Sequence, residues 1–305
     1  MLEIRHFRLI DAIHRAGSLS GAARLLGFSQ PAVSQQLRQL ERLAGTPVLT
    51  RVGRKSHLTE AGEVLLRHAH QVLEATERAQ NEVDLIAGLH GGVLRLTVFP
   101  SAAATIIPIA LAMLRQRHPD LTIRLMESDA KEALEALGSG QADVAVVGHF
   151  GVPGSPLPPD DGRWLFRTIL EEHVMVALHA DHDQGASKVV ALRDLQSERW
   201  IAGCDECRSN LGAAAASAGF IPDVALETDD YVAVQRLAGL GLGVALIPEL
   251  MVAAARVDPT LQFRPIDPPR IRRVSTVVTP STLRVPGVLE LCGALKDAAQ
   301  AAIHP

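Results

Sequence analysis

Four polar side chains, Gln30, Ser34, Gln35 and Arg38, are interleaved with apolar residues at helical spacing. Val33, Leu37, Leu40 and Leu43 recur at intervals of four, three and three, which turns one helix face inward and leaves the polar residues on the other. A Gln amide offers a donor and an acceptor side by side, the pattern that matches an adenine edge. Hydroxyl and guanidinium groups suit bases or phosphates. A second group is Cys204-Asp-Glu-Cys207, a CxxC in a chain with three cysteines. That spacing serves three chemistries: thiols that line a ligand site, a redox pair, or half of a metal site that His149 and His173 could approach. A structural zinc site would need a second such pair, and none is present. Cys292, on an apolar C-terminal segment, reads as core.

The elements that must position these residues follow from periodicity and punctuation. Phe7, Leu9, Ile10 and Ile13 mark a first helix ending at Gly17. Ser18 or Ser20 can cap a second helix, whose buried face is Ala22, Ala23, Leu25 and Leu26. After the Gly27-Phe28 turn, Ser29 is a cap candidate and Pro31 sits in the first turn of the third helix, where a missing N–H costs nothing. Small residues at the second helix and a glycine turn fit a helix-turn-helix. Residues 47–58 then read as two short strands joined by a basic glycine turn holding Arg51, Arg54 and Lys55, a wing. Thr59 caps a long helix to about Ala87, along which Leu65, Ala69, Val72, Thr76, Ala79, Val83 and Ile86 form a heptad seam. Such a seam predicts pairing between chains.

Charge separates the head from the rest. Residues 1–58 hold nine basic and three acidic residues, a net +6, and the remainder holds 21 basic and 31 acidic, a net −10. A basic head on an acidic body is expected where only the head meets a polyanion. One Tyr and two Trp leave few platforms for stacking single-stranded bases, so duplex DNA is the expected target.

From Val93 onward strands alternate with helices, broken by a Pro/Gly-rich stretch from Val152 to Gly162. Two serial sets of β-α units predict two α/β subdomains with largely parallel sheets and a ligand cleft at the carboxyl ends of the strands. The strands expected in the second set include Val174–Leu178, and the tail strand Arg272–Val278 is expected to cross back to the first subdomain with the helix after it. The longest apolar stretch, Ala102 to Leu114, contains Pro108 and is too short for a bilayer, so it reads as a buried helix. The three cysteines and a charged N-terminus lacking a signal peptide predict a reducing cytoplasm. There is no P-loop, HExxH or GxSxG, and Gly239-Leu-Gly241-Leu-Gly243 precedes a strand where a dinucleotide loop would follow one. No catalytic residue, cofactor or metal site is expected.

The string Ala22-Ala23-Arg24-Leu25-Leu26, then Ser29-Gln30-Pro31-Ala32-Val33-Ser34-Gln35-Gln36-Leu37, then Leu58-Thr59-Glu60-Ala61-Gly62 resembles the LysR-type transcriptional regulators. Gly239 to Pro248 is similar to the end of that family's effector domain. The resemblance covers the whole chain. It implies a winged helix-turn-helix (residues 1–58), a linker and dimerisation helix with its hinge (59–91), and a periplasmic-binding-protein-like α/β effector domain (92–305). Subdomain I is expected at about 92–162 and 268–305, and subdomain II at about 163–267. The implied function is that of a homodimer or homotetramer that binds an inverted-repeat operator in double-stranded DNA, answers to a small-molecule co-inducer and commonly represses its own gene. RNA polymerase is a further candidate partner. By family position Gln30, Pro31, Ser34 and Gln35 read DNA, while Arg38, Arg51, Arg54 and Lys55 hold its backbone or minor groove.

Effector contacts are expected from Ser101, Ser128, Asp129, Ala130, Gly148, Gly203, Cys204 and Asp205, at the ends of successive strands, with Asp229 as a helix cap. The same scaffold could instead be redox-responsive through Cys204 and Cys207. Two departures stand out. Leu49-Thr50 precedes Arg51 where the family has Leu-Phe, and Ala130 stands where carboxylate sensors carry Ser or Thr, which argues against a simple carboxylate effector.

Overall fold

Three short helices open the chain: α1 (Ile4–Ala16), α2 (Leu19–Leu26) and α3 (Gln30–Ala44). The computed structural model describes residues 1–52, 55–86, 92–156, 162–254 and 258–303. Each of the three helices stops at a glycine with left-handed backbone, Gly17, Gly27 and Gly45. The Ser18 hydroxyl accepts the Gly21 N–H and caps α2. Ser29 holds the cap position of α3 without a capping bond from its side chain, and Pro31 occupies the first turn. Leu9, Ile10, Ile13, Ala22, Val33, Leu37 and Leu40 form one core. Leu43, expected on the inward face, is exposed, and Ala44 beside it packs against the core instead.

Strands β1 (Leu49–Val52) and β2 (Lys55–Leu58) pair antiparallel, with Leu49 opposite Leu58. Helix α4 (Glu60–Ile86) follows. The Thr59 hydroxyl accepts the Gly62 N–H at 3.2 Å and donates to the Pro47 carbonyl at 2.8 Å. A Cβ on Gly62 would lie 2.3 Å from the Val48 carbonyl oxygen, so only glycine lets the helix pass so close. Leu66 and Ala69 are buried, whereas Ala79 and Val83 further along α4 are exposed. The chain divides into two compact units, Met1–Asp84 and Leu85–Pro305.

The second unit begins β3 (Val93–Val98), α5 (Pro100–Arg117), β4 (Thr122–Glu127), α6 (Ala130–Gly138), β5 (Val144–Gly151). Helix α5 continues unbroken past Pro108. After it come β6 (Leu165–His179), β7 (Val190–Ala191), β8 (Arg199–Ala202), α7 (Asp205–Ser217), β9 (Asp223–Glu227), α8 (Tyr231–Gly239), β10 (Ala245–Pro248) and α9 (Glu249–Ala253). Strand β11 (Leu261–Val278) and helix α10 (Pro286–Ile303) close the chain. The main sheet has the order β10-β6-β11-β5-β3-β4, with β7 beside β11, and β8-β9 form a separate pair.

The connections to β3, and β8 to β9, are parallel as expected, but β6, β10 and β11 pair antiparallel. The reason is the path of the chain. β6 carries it out of the first lobe into the second and β11 brings it back, so the two run in opposite directions and pair from Leu165–Val278 to His179–Leu261. Both are far longer than the segments expected from sequence. Arg167, Glu171 and Glu172 in β6, and Pro265, Pro268 and Pro269 in β11, read as strand breakers, yet the partner strand satisfies the backbone through most of the stretch. The first lobe packs α5 and α10 on one sheet face and α6 on the other. The second lobe packs α7 around Trp200 on one side and α8 around Ile247 on the other.

Candidate functional site

The outer face of α3 is built by subtraction. With Val33, Leu37 and Leu40 buried, Gln30, Pro31, Gln35 and Arg38 are exposed and Ser34 is half-buried. The Gln30 amide donates to the Ser34 hydroxyl at 2.9 Å, one turn on, which limits the rotamers of both before anything binds. Arg24 on α2 and Arg42 on α3 are exposed on the same unit. Arg51 and Lys55 lie on the paired strands β1 and β2, and Arg54 falls outside the described residues.

In the second unit a cleft of about 680 Å³ opens between the lobes. Ser101, Ser128, Asp129 and Gly148 line it from the first lobe, and Gly203, Cys204 and Asp205 from the second. Ala130 does not line it: its side chain packs with the α6 cluster under Trp164. Asp229 also differs from expectation. Asp230 caps α8, accepting the Val232 and Ala233 N–H groups, which leaves Asp229 on the cleft wall. Seven carboxylates line the cleft, Glu127, Asp129, Glu132, Asp205, Glu206, Glu227 and Asp229, against two guanidiniums, Arg208 and Arg272. Arg208 is paired with Glu227.

The cleft floor is a buried ion pair absent from the sequence expectations. Arg272, on β11, donates to Glu172 on β6 at 2.7 Å and to the Ser101 hydroxyl at 2.9 Å. Its guanidinium lies 4.6 Å over the Phe99 ring, a cation–π contact. Glu172 accepts in addition the Leu250 N–H at the start of α9, at 2.7 Å. All three residues are at most 5% exposed. Burial pushes the Glu172 carboxyl up against the pull of Arg272 and the Leu250 N–H. Gly148 opens the space, since a Cβ there would meet the Arg272 stem at 3.0 Å. This network ties both crossing strands to α5 of one lobe and α9 of the other. Ser101 therefore serves first as a strut, its own hydroxyl proton still free to donate.

Helix α7 starts at Asp205, so Cys204 becomes its N-cap and Cys207 its third residue. Asp205 and Glu206 in the first turn are the sequence signal for that start. The two sulfurs lie 3.2 Å apart. The Cys204 thiol is pulled down to about 6, first by the Cys207 thiol and then by the N–H groups of Cys207 and Glu206, against its burial. Cys207, deeper and beside that sulfur, is pushed up. Burial, with Cys204 and Asp129 nearby, lifts the Glu206 carboxyl to about 7. Among the described residues no group of three His, Cys, Asp or Glu is gathered around a metal-sized space. No described helix is long and apolar enough to cross a membrane. Cys292 packs partly buried against the first-lobe core, and burial raises its thiol to about 11.

Residues 87–300 match the model of the LysR substrate binding domain, and residues 4–63 that of the bacterial regulatory helix-turn-helix protein, lysR family. The chain belongs to the LysR family. Its relatives include the Hca operon transcriptional activator HcaR of Escherichia coli, 31% identical over 82% of this chain and 83% of that protein. The probable HTH-type transcriptional regulator LrrA of Synechococcus elongatus is 28% identical over 98% of both chains. Among solved structures, full-length CbnR complexed with its target DNA aligns with a TM-score of 0.66 at 23% identity, covering 98% of this chain and 100% of that one. Corynebacterium glutamicum OxyR aligns at 0.62 and 24%, covering 99% and 92%. These likenesses give the LysR fold. This LysR-family chain is a DNA-binding transcription regulator with an effector-binding domain, in a family of regulators rather than enzymes.

Proposed function

We propose that this regulator binds an inverted-repeat operator as a homodimer or homotetramer and changes its hold on DNA when a small molecule occupies the cleft between the two lobes. The cleft itself carries the reading: each lobe supplies one wall, and a ligand touching both biases their closure about β6 and β11. Ser101, Ser128, Gly148, Gly203 and Asp205 are its contact residues. On DNA, Gln30 and Gln35 take adenine edges and Ser34 a base or phosphate. Arg38, Arg51, Arg54 and Lys55 hold the backbone or minor groove. The exposed far half of α4 supplies the pairing seam. Such a protein works in the cytoplasm, where operator and RNA polymerase are.

Selection of bound duplexes from a random pool tests the DNA half. Wild type should enrich an inverted repeat; Gln35→Ala should lose the enrichment, and Arg38→Ala should weaken all sequences alike, with a salt slope smaller by about one. Binding that enriches no motif and vanishes with salt would refute the reader-helix assignment. A second reading, regulation by oxidation at Cys204 and Cys207, is favoured by the 3.2 Å between their sulfurs.

A further inference from the structure

We propose that Cys204 and Cys207 form a dithiol–disulfide site oxidised by neutral hydroperoxides, with Cys204 as the attacking sulfur and Cys207 as the resolving one. The assignment of roles deepens the oxidation reading above and rests on it only for the effect on DNA.

Position separates the two sulfurs. Cys204 is the N-cap of the thirteen-residue α7: its sulfur makes no capping hydrogen bond in the resting thiol pair, but it sits at the helix N-terminus, where a thiolate is favoured by the Cys207 thiol and the nearby N–H groups of Cys207 and Glu206. Cys207, one turn in, is the more buried and keeps its proton. The sulfurs must approach by roughly 1.2 Å from their present 3.2 Å to reach a bond of about 2.05 Å. The charged groups acting on the pair are Glu206 on α7, Asp229 before α8 and Arg272 on β11, while Asp129 before α6 acts on Glu206. Even with Glu206 neutral, six other carboxyl groups against two guanidiniums make the cleft hostile to anionic oxidants such as glutathione disulfide, whereas an uncharged hydroperoxide enters without that penalty. A protein disulfide is too large for a space of about 680 Å³.

The chemistry balances within the site. The Cys204 thiolate attacks the terminal oxygen of ROOH, forming an S–O bond as the O–O bond breaks. The departing alkoxide takes the proton of Glu206, which is held neutral up to about pH 7, and leaves as ROH. The Cys207 sulfur then attacks the sulfenic acid; the S–S bond forms, the S–O bond breaks, and the hydroxide leaves with the Cys207 proton as water. The dithiol loses two electrons, the hydroperoxide gains them, and one negative charge moves from Cys204 to Glu206.

The acidity of Cys204 sets where the reaction is best read. At pH 6 a thiol titrating near 6 is about half ionised, roughly 150 times more than an ordinary cysteine. The weaker nucleophilicity of an acidic thiolate returns about 10- to 18-fold of that. The expected advantage over free cysteine is therefore roughly tenfold at pH 6 and only two- to threefold at pH 7.

The test treats the full chain with hydrogen peroxide or glutathione disulfide at pH 6, then alkylates and maps the cysteines by mass spectrometry. Hydrogen peroxide should give a Cys204–Cys207 disulfide faster than glutathione disulfide does. Cys207→Ser should accumulate a dimedone-trapped sulfenate on Cys204, and Cys204→Ser should leave Cys207 reduced. Thiols that stay free, a sulfenate on Cys207 in the Cys204→Ser chain, or faster oxidation by glutathione disulfide would overturn the assignment. Operator affinity of the same oxidised sample separates the two claims: a disulfide that forms without changing affinity sustains the chemistry and ends the regulatory reading.

Discussion

Replacing Arg272 with Met keeps an aliphatic stem but removes the guanidinium that lies over Phe99 and compensates Glu172, a carboxylate only 1% exposed. Breaking a buried pair on one side costs about 3–5 kcal/mol, because the remaining charge has no water to turn to. For a unit the size of Leu85–Pro305 that is a fall of roughly 6–20 °C in melting temperature. The loss has a definite pH dependence. Burial already raises the Glu172 carboxyl above its ordinary 4.5, and removing Arg272 raises it further. A carboxyl kept neutral in the fold but free to ionise in the unfolded chain costs nothing below its unfolded value, where both states are protonated. It costs progressively more as pH climbs above that value. The gap between wild type and Arg272→Met should therefore be small at pH 4 and widest at pH 8. Adding Glu172→Gln should close most of it, since an amide asks for no counter-charge. Calorimetry of the three variants at both pH values decides the matter. A single variant that loses under 1 kcal/mol at pH 8, or a double variant no better than the single, would refute the reasoning.

Two further expectations concern the first unit. Gly62→Ala forces a methyl onto the Val48 carbonyl and should cost about 1–3 kcal/mol in urea unfolding; an unchanged midpoint would mean that the wing backbone yields freely. Val83→Glu puts a charge into the exposed seam of α4 and should lower the mass seen by light scattering, while an unaltered mass would place the chain–chain contact elsewhere.

The first unit was legible in its elements and most of its core, because its helices are amphipathic and end at glycines; Leu25 and Leu43, expected inward, are exposed. The second was legible as a series of elements but not as a topology. The residues that mislead are those that matter to the cleft. Glu172 looks like a surface acid and Arg272 like the start of an ordinary strand, and nothing local says that residues 100 apart neutralise one another in the interior. Likewise Cys204 and Cys207 were visible as a motif, but their unequal roles depend on where α7 begins, and Asp205 and Glu206 were the only hint. Ala130 and Asp229 show the limit of reading by position: one residue of rotation at a helix start exchanges cleft for core.

The path of β11 has a consequence for synthesis on the ribosome. The strand neighbouring β5 in the finished sheet and the helix that covers α5 are made after every other element of this domain. Some 150 residues separate the end of β5 from the end of α10, roughly 8–30 s of translation. During that interval β5, with its run Val144-Ala145-Val146-Val147, is an unpaired apolar edge of the kind that recruits other chains. The middle of the sequence is on hand earlier, so most of the second lobe can condense while the first is still open. The nascent chain is thus most exposed to misassembly late, when its DNA-binding head is long complete.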